Sequence, residues 1–406
     1  MSENMFGFLG FSKLAVLCAR DDWFLFDVQR ASWFLTYSNW KSFEMMSRAT
    51  AILKRYKVTG RAGNARRWLS ALAALSLVIC LPACGGRQEF QIAGRTMGTT
   101  YHIKVVTSDD VDLDGLKRQI DEHLEEINRS MSTYRPDSEI SRFNALDAAD
   151  VPVTVSRDFL TVLTVARRLH GLTGGAWDGT LKPVINLWGF GNTKHPHTVP
   201  PPEAIAAALA DTGFDNLRIH ESGAISKKQP RLTLDLASIA KGYGVDVVAG
   251  ALRRAGYRDF LVEIGGEVFA AGQRKDGRPW RVGINLPDPS APADRVYRAV
   301  TLTDDAMATS GDYRSFFVET GHQYSHIIDP RTGRPVQNGV VSVSVTADNC
   351  TLADGLATGV MVMGASAGLA LLERLPGVEG FIIEKGADGS LRSSATKGFP
   401  TAVPVP

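Results

Sequence analysis

Between residues 309 and 358 two kinds of apolar pattern stand side by side, and together they limit the chain to a fold that mixes strands with helices. Val341, Val343 and Val345 alternate with Ser342, Ser344 and Thr346, the period-two signature of a half-buried strand. Directly after it, Thr351 and Asp354 open an apolar helix on which Asp354 and Thr358, four residues apart, share one face. Upstream, the polar turn at 309–312 feeds residues 313–318, whose aromatic and apolar content predicts another strand. His326 lies near the end of the next apolar run. Asp329, Pro330, Thr332, Gly333 and Pro335 give it a firm turn, because proline fixes φ and glycine permits positive φ. A carboxylate and a hydroxyl on one helix face are hard oxygen donors, suited to Mg²⁺ and phosphate chemistry. Taken alone, Asp354 reads more readily as a cap or dipole partner than as a metal ligand, and His326 more readily as a turn residue; the rest of the chain decides.

The remainder supports an α+β class with mixed, mainly antiparallel sheets flanked by helices. Leu113, Leu116, Ile120, Leu124, Ile127 and Met131 recur at three and four, the stripe of an amphipathic helix. Pro136, Asp137 and Ser138 enforce a loop after it, and a second helix is predicted over about 156–170, stopped by Gly171. Residues 174–191 interleave aromatics with glycines, a poor helix and a good ligand wall, because glycine lets backbone approach a flat ring. Residues 192–202, with His195 and His197, read as a solvated loop, and 203–210 as a short helix. R-L-T-L-D-L predicts a strand delivering Asp235 to a helix start, with Lys241 one turn in; the helix N-terminus favours phosphate and the lysine supplies charge. L-V-E-I-G-G-E-V-F-A-A-G and W-R-V-G-I-N-L-P read as paired strands with a tight glycine bend. Rossmann and P-loop fingerprints are absent, as are H-E-x-x-H, a zinc cysteine pair and G-x-S-x-G.

The sequence also suggests where folding begins. Arg66 and Arg67 precede a short apolar run that ends in L-P-A-C at residues 81–84, followed by Gly85 and Gly86. A basic start, a short apolar stretch and small residues before a cut make a secretory signal. The L-P-A-C ending resembles a bacterial lipobox, which implies lipidation of Cys84 and a mature protein anchored to a membrane. Residues 65–83 are then the signal peptide and 84–89 a tether. Residues 1–64, with three of the seven tryptophans, read as an extension from a start codon placed too early, Met45 or Met46 being among the later candidates. Residues 1–83 hold eleven Lys/Arg and five Asp/Glu, leaving 34 basic against 38 acidic, about −4. The basic balance thus belongs to the export segment, and no nucleic-acid footprint remains. Cys18 and Cys80 go with the leader, so Cys350 has no intramolecular disulfide partner.

Eight motifs then fall in order over about residues 90–385: T-M-G-T-T-Y, S-T-Y-R-P-D-S-E-I-S-R-F-N, W-D-G-T-L-K-P-V-I-N-L-W-G-F-G, D-L-A-S-I-A-K-G-Y-G-V-D, E-I-G-G-E, T-S-G-D-Y-R, H-I-I-D-P-R-T-G-R-P and A-D-G-L-A-T-G. Together they resemble the ApbE family of FAD:protein FMN transferases. The resemblance implies a T-fold-like architecture over 90–400 with a ligand cleft between two lobes. It implies an exported, lipid-anchored enzyme facing the periplasm that cleaves FAD and attaches FMN to a threonine of a target. Such targets include subunits of Na⁺-translocating NADH:quinone oxidoreductase and related complexes. It further implies FAD contacts from Met97, Tyr134, Ala176, Trp177, Asp178, Asp235, Lys241 and Ile328. Mg²⁺ would be held by the Ser238 carbonyl, Asp354 and Thr358, with His326 activating the acceptor hydroxyl. Position 238 is often alanine in relatives, which a backbone ligand tolerates. The rival readings are a Mg²⁺-dependent FAD pyrophosphatase and a non-enzymatic periplasmic flavin-binding lipoprotein.

Overall fold

Eight strands form one antiparallel sheet in which the spatial order is the chain order. They are β1 (Gln88–Thr96), β2 (Thr99–Thr107), β3 (Asp259–Ile264), β4 (Glu267–Ala271), β5 (Asp305–Gly311), β6 (Val340–Ala347), β7 (Glu379–Lys385) and β8 (Leu391–Ala395). The computed structural model describes residues 86–191, 196–292, 295–400 and 403–404, together with the backbone of 14–19 and 22–27. The chain divides into two compact units, Met1–Cys84 and Gly85–Pro406. In the first, the described residues form an antiparallel hairpin of Leu14–Ala19 and Asp22–Asp27. The start-codon reading, the signal peptide at 65–83 and lipidation at Cys84 otherwise concern residues outside those described.

The meander fixes where a site can form. Because neighbouring strands run in opposite directions, the connections β1/β2, β3/β4, β5/β6 and β7/β8 share one end of the sheet, and the others share the opposite end. The β3/β4 link is the two-glycine turn Gly265–Gly266, with φ of 62° and 106°, values open to glycine and costly to other residues. The β5/β6 link is the stretch that carries His326, so turn and histidine meet at the same end.

The helices are α1 (Leu113–Met131), α2 (Glu139–Ala145), α3 (Arg157–Leu172), α4 (Lys182–Leu187), α5 (Pro202–Ala210), α6 (Ala237–Arg254), α7 (Cys350–Met363) and α8 (Ala365–Leu372); α1, α6, α7 and α8 pack on the strands directly, and α4 and α5 pack on each other. The α1 stripe behaves as the spacing predicts from its second member on: Leu116, Ile120, Leu124, Ile127 and Met131 are buried in one core with Ile103, Val248 and Phe260, while Leu113, the first helical residue, is exposed. Burying each such side chain contributes about 1.5–3 kcal/mol relative to leaving it exposed. One face of the eight-stranded sheet is covered by a small antiparallel sheet, Trp280–Asn285 with Val296–Leu302 and Val403–Pro404, which builds a second core around Trp280, Val300 and Phe381.

Several sequence expectations change here. β6 is buried on both faces, with Ser342 and Ser344 only 1% and 0% exposed, because the small sheet covers the side that the serines were expected to turn to water. Ser344 is satisfied by the Thr309 hydroxyl at 2.8 Å. Residues 231–236 form no strand. Asn144 acts as a side-chain substitute for a neighbouring strand, its amide accepting from Leu234 N–H (2.7 Å) and donating to Leu234 O (2.9 Å), while Lys227 Nζ donates to Leu232 O (3.1 Å). W-R-V-G-I-N belongs to the small sheet and pairs with Val296–Leu302, not with the glycine hairpin. Within 313–318 only Phe316 to Val318 are paired, in the hairpin Phe316–Glu319/His322–Ser325. Helix α3 runs through Gly171 and is capped at Thr173, before two glycines at positive φ. Within 174–191 the six-residue α4 interrupts the glycine-rich wall.

Candidate active site

At the hairpin end of the sheet lies a cleft of about 540 Å³. Its floor comes from the first turns of α6, the Gly265–Gly266 turn and the mid-part of α7, and its walls from residues 176–178, 309–315 and 326–328. Helices α6 and α7 are locked together by two carboxylates. Asp246 of α6 caps the start of α7, accepting from Cys350 N–H (2.7 Å), Thr351 N–H (2.9 Å) and the Thr351 hydroxyl (2.5 Å). Asn349 is the residue that caps α7 locally, so Asp354, one turn further in, is free of that duty. In return Asp354 Oδ2 accepts the Gly242 N–H at 3.0 Å.

Asp354 is 3% exposed and Glu267 2% exposed, and Lys241 lies between them. Lys241 Nζ is 2.7 Å from Glu267 Oε1 and 4.0 Å from Asp354 Oδ2. Burial raises the pKa of Glu267, Lys241 pulling it down and Asp354 adding to the rise. Burial also raises Asp354, against the pull of Lys241. For Lys241 burial works against the charge, and the two carboxylates overcome it, so its pKa rises. Two acids and one lysine thus share the cleft floor, and Glu267 Oε2 is buried with no hydrogen-bond partner. Thr358 lies across the cleft floor, its hydroxyl 3.0 Å from Ser310 Oγ.

These residues fit a hard divalent cation. The Ser238 carbonyl, the Asp354 carboxylate and the Thr358 hydroxyl are oxygen donors on residues that line one cleft, the chemistry that Mg²⁺ prefers. Among the described residues no group of three His, Cys, Asp or Glu side chains forms a metal cage.

His326 is held from its backbone side. Its Nδ1 is 3.1 Å from the Ser315 carbonyl, which can only accept, so Nδ1 carries the proton and Nε2 has the lone pair. Burial lowers its pKa, opposed by the Ser315 bond, with Lys241 adding to the fall. The Phe190 ring meets it edge-on at 6.3 Å. His197, expected in a solvated loop, stacks on Phe317 at 5.5 Å, while His195 lies outside the described residues.

Of the residues expected to touch the dinucleotide, Tyr134 stands at the rim, 75% exposed, while Ala176, Trp177 and Ile328 are buried in the wall. The Trp177 indole donates to Ser238 Oγ at 3.1 Å, tying wall to floor. Asp178 reaches the cleft with both oxygens engaged, Oδ1 by Thr180 N–H (2.8 Å) and its hydroxyl (2.5 Å), Oδ2 by Phe214 N–H (3.0 Å). It shapes the wall. Asp235 lines the cleft and accepts the Ala237 N–H at 3.0 Å, and burial raises its pKa. Met97, in the β1/β2 turn at φ 48°, is packed against the main core and is not among the residues lining the cleft. Sequence reasoning missed Glu267, Ser310 and Asn285, all in the cleft lining. For Glu267 a signal existed: an acid directly before the apolar run V-F-A-A.

Fold and site together define a class: an α+β protein whose antiparallel meander carries an oxygen-rich cleft beside a neutral imidazole. Residues 97–382 match the family model described as the ApbE family. The chain is 48% identical over 310 residues to the FAD:protein FMN transferase of Vibrio cholerae, covering 76% of this chain and 91% of that one. It is 40% identical to the FAD:protein FMN transferase of Haemophilus influenzae, with the same two coverages of 76% and 91%. The solved flavin transferase ApbE from Vibrio cholerae superposes with a TM-score of 0.71 at 46% identity, over 77% of this chain and 98% of that chain. The apo flavinyl transferase ApbE of Pseudomonas stutzeri gives 0.69 at 37% identity, over 77% and 95%. This chain belongs to the ApbE family.

Proposed function

We propose that this protein is a Mg²⁺-dependent FAD:protein FMN transferase, which breaks the pyrophosphate of FAD and joins FMN to a threonine hydroxyl of an acceptor protein, releasing AMP. The observation that carries this reading is the convergence of Lys241, Asp354, Thr358 and a neutral His326 on one cleft. A Mg²⁺ held by the Ser238 carbonyl, Asp354 and Thr358 would supply neutralisation of the charge that builds on the phosphates. Lys241 adds a fixed positive charge at the same floor, and the N-terminus of α6 points its dipole there. His326 Nε2 takes the proton of the incoming threonine hydroxyl, whose oxygen bonds to the FMN phosphorus as the bond to the AMP oxygen breaks in line. The Ser315 carbonyl holds the imidazole in the tautomer this step needs.

The acceptor class suggested by the family resemblance is a subunit of Na⁺-translocating NADH:quinone oxidoreductase or a related complex. The lipid anchor at Cys84 and a periplasmic location are part of the same proposal, supported by the export pattern of residues 65–84. Incubating the protein with FAD, Mg²⁺ and a threonine-bearing acceptor tests the chemistry, with in-gel flavin fluorescence and chromatography as readouts. The expected result is a fluorescent acceptor adduct together with AMP. Free FMN and AMP with unmodified acceptor would make the protein a pyrophosphatase, and unchanged FAD would make it a flavin carrier.

A further inference from the structure

Glu267 has no part in the reaction as described, yet its position gives it one. It opens β4 directly after the Gly265–Gly266 turn and pairs with Ile264 across it, so its backbone is fixed by the sheet. Oε1 holds Lys241 Nζ at 2.7 Å, the distance of a charge-assisted hydrogen bond, whereas Asp354 Oδ2 stands 4.0 Å from the same nitrogen, beyond hydrogen-bond reach. Among the described residues only the Gly242 N–H donates to the Asp354 carboxylate. An ammonium is the natural competitor of a cation for a buried carboxylate, and a lysine side chain is long and flexible enough to close a gap of about one ångström. What keeps it from doing so is the shorter contact on the other side.

We propose that Glu267 is a positioning residue: by holding the Lys241 ammonium it keeps that charge from closing onto Asp354, and so leaves the Asp354 carboxylate able to take a divalent cation. The inference rests on the metal reading above and assigns Glu267 a task within it. Without Glu267 the lysine has a single buried acid to pair with, and that acid is the one the cation needs. The unpartnered Oε2 agrees with this role, because a buried carboxylate kept for its own hydrogen bonds would have both oxygens engaged.

Isothermal titration of the full-length chain with MgCl₂ alone, without FAD, tests the idea through binding and not turnover. Glu267→Gln is expected to weaken Mg²⁺ binding by at least about tenfold, since the cation must then displace an ammonium from Asp354. Adding Lys241→Met to that variant removes the competitor and is expected to restore binding to within about threefold of the unmodified chain. Should Glu267→Gln fail to fold, Glu267→Asp, which keeps the charge but withdraws it by one methylene, is expected to weaken binding in the same direction. Unchanged affinity in the Glu267 variant overturns the proposal, as does a double variant no better than the single one, which would mark plain damage to the scaffold. Asp354→Ala separates the two levels: loss of binding there upholds the metal reading whatever Glu267 does. If the unmodified chain takes no Mg²⁺, or Asp354→Ala takes it equally well, metal reading and proposal fall together.

Discussion

His326 illustrates how one carbonyl can set the chemistry of a side chain. With Nδ1–H committed to Ser315, only Nε2 can accept a proton, and burial keeps the ring neutral to lower pH than a free histidine. The sign follows directly: a base works when unprotonated, so transfer should rise with pH through a midpoint below the ordinary histidine value of about 6.5 and then level. A pH profile of single-turnover adduct formation checks this, and a midpoint above 7 would contradict a burial-governed base. His326→Ala is expected to bind FAD much as before while transfer falls by about 10²–10⁴-fold, read by flavin fluorescence titration beside the transfer assay. Loss of both would make the histidine structural. At this scale Asp354, Thr358, Lys241 and His326 were legible, because their spacing on a helix or beside a turn is a local property. Glu267 was not, since its partners stand 26 and 87 positions away in the chain, and Asp178 showed its saturated oxygens only once Phe214 was brought beside it.

Among the elements, the contact of α6 with α7 matters most to the cleft. The two helices approach so closely at Gly242 that a Cβ there would stand 2.5 Å from the Cys350 carbonyl oxygen and 2.9 Å from Asp354 Cβ. Gly242→Ala is therefore expected to push the helices apart, costing about 1–3 kcal/mol of stability and stretching the bond from Gly242 N–H to Asp354. Urea denaturation measures the first effect and Mg²⁺ titration the second. A variant with wild-type values in both would show that this contact has slack. Sequence periodicity found α1, because a surface helix has one apolar stripe. It misjudged β6, because alternation tells which residues share a face but not whether another layer covers the second face. It misread 231–236, because an extended apolar–polar run looks the same whether its hydrogen bonds go to a strand or to Asn144 and Lys227.

At the level of the molecule, the meander brings the β3/β4 turn and the β5/β6 connection to one end, and α7 runs from the opposite end back toward them. The core, the sheet and the cleft all lie within Gly85–Pro406. A chain beginning at Gly85 is expected to keep its helix and strand content by circular dichroism, to unfold cooperatively and to bind FAD as the full chain does. A truncated chain that is unfolded or FAD-blind would assign residues 1–84 a part in the fold. The sequence by itself determined the class of fold, the helix face that pairs Asp354 with Thr358, the turn that steadies His326 and, through its motifs, the family. These depend on neighbours a few positions apart, and local periodicity and turn chemistry encode them. Only the tertiary structure decided that Glu267 faces Lys241, that Gly242 spends its N–H on Asp354 and that Met97 turns into the core. Such contacts join residues tens to more than a hundred positions apart, and the packing of two helices on a sheet, which no local pattern specifies, is what brings them within hydrogen-bond reach.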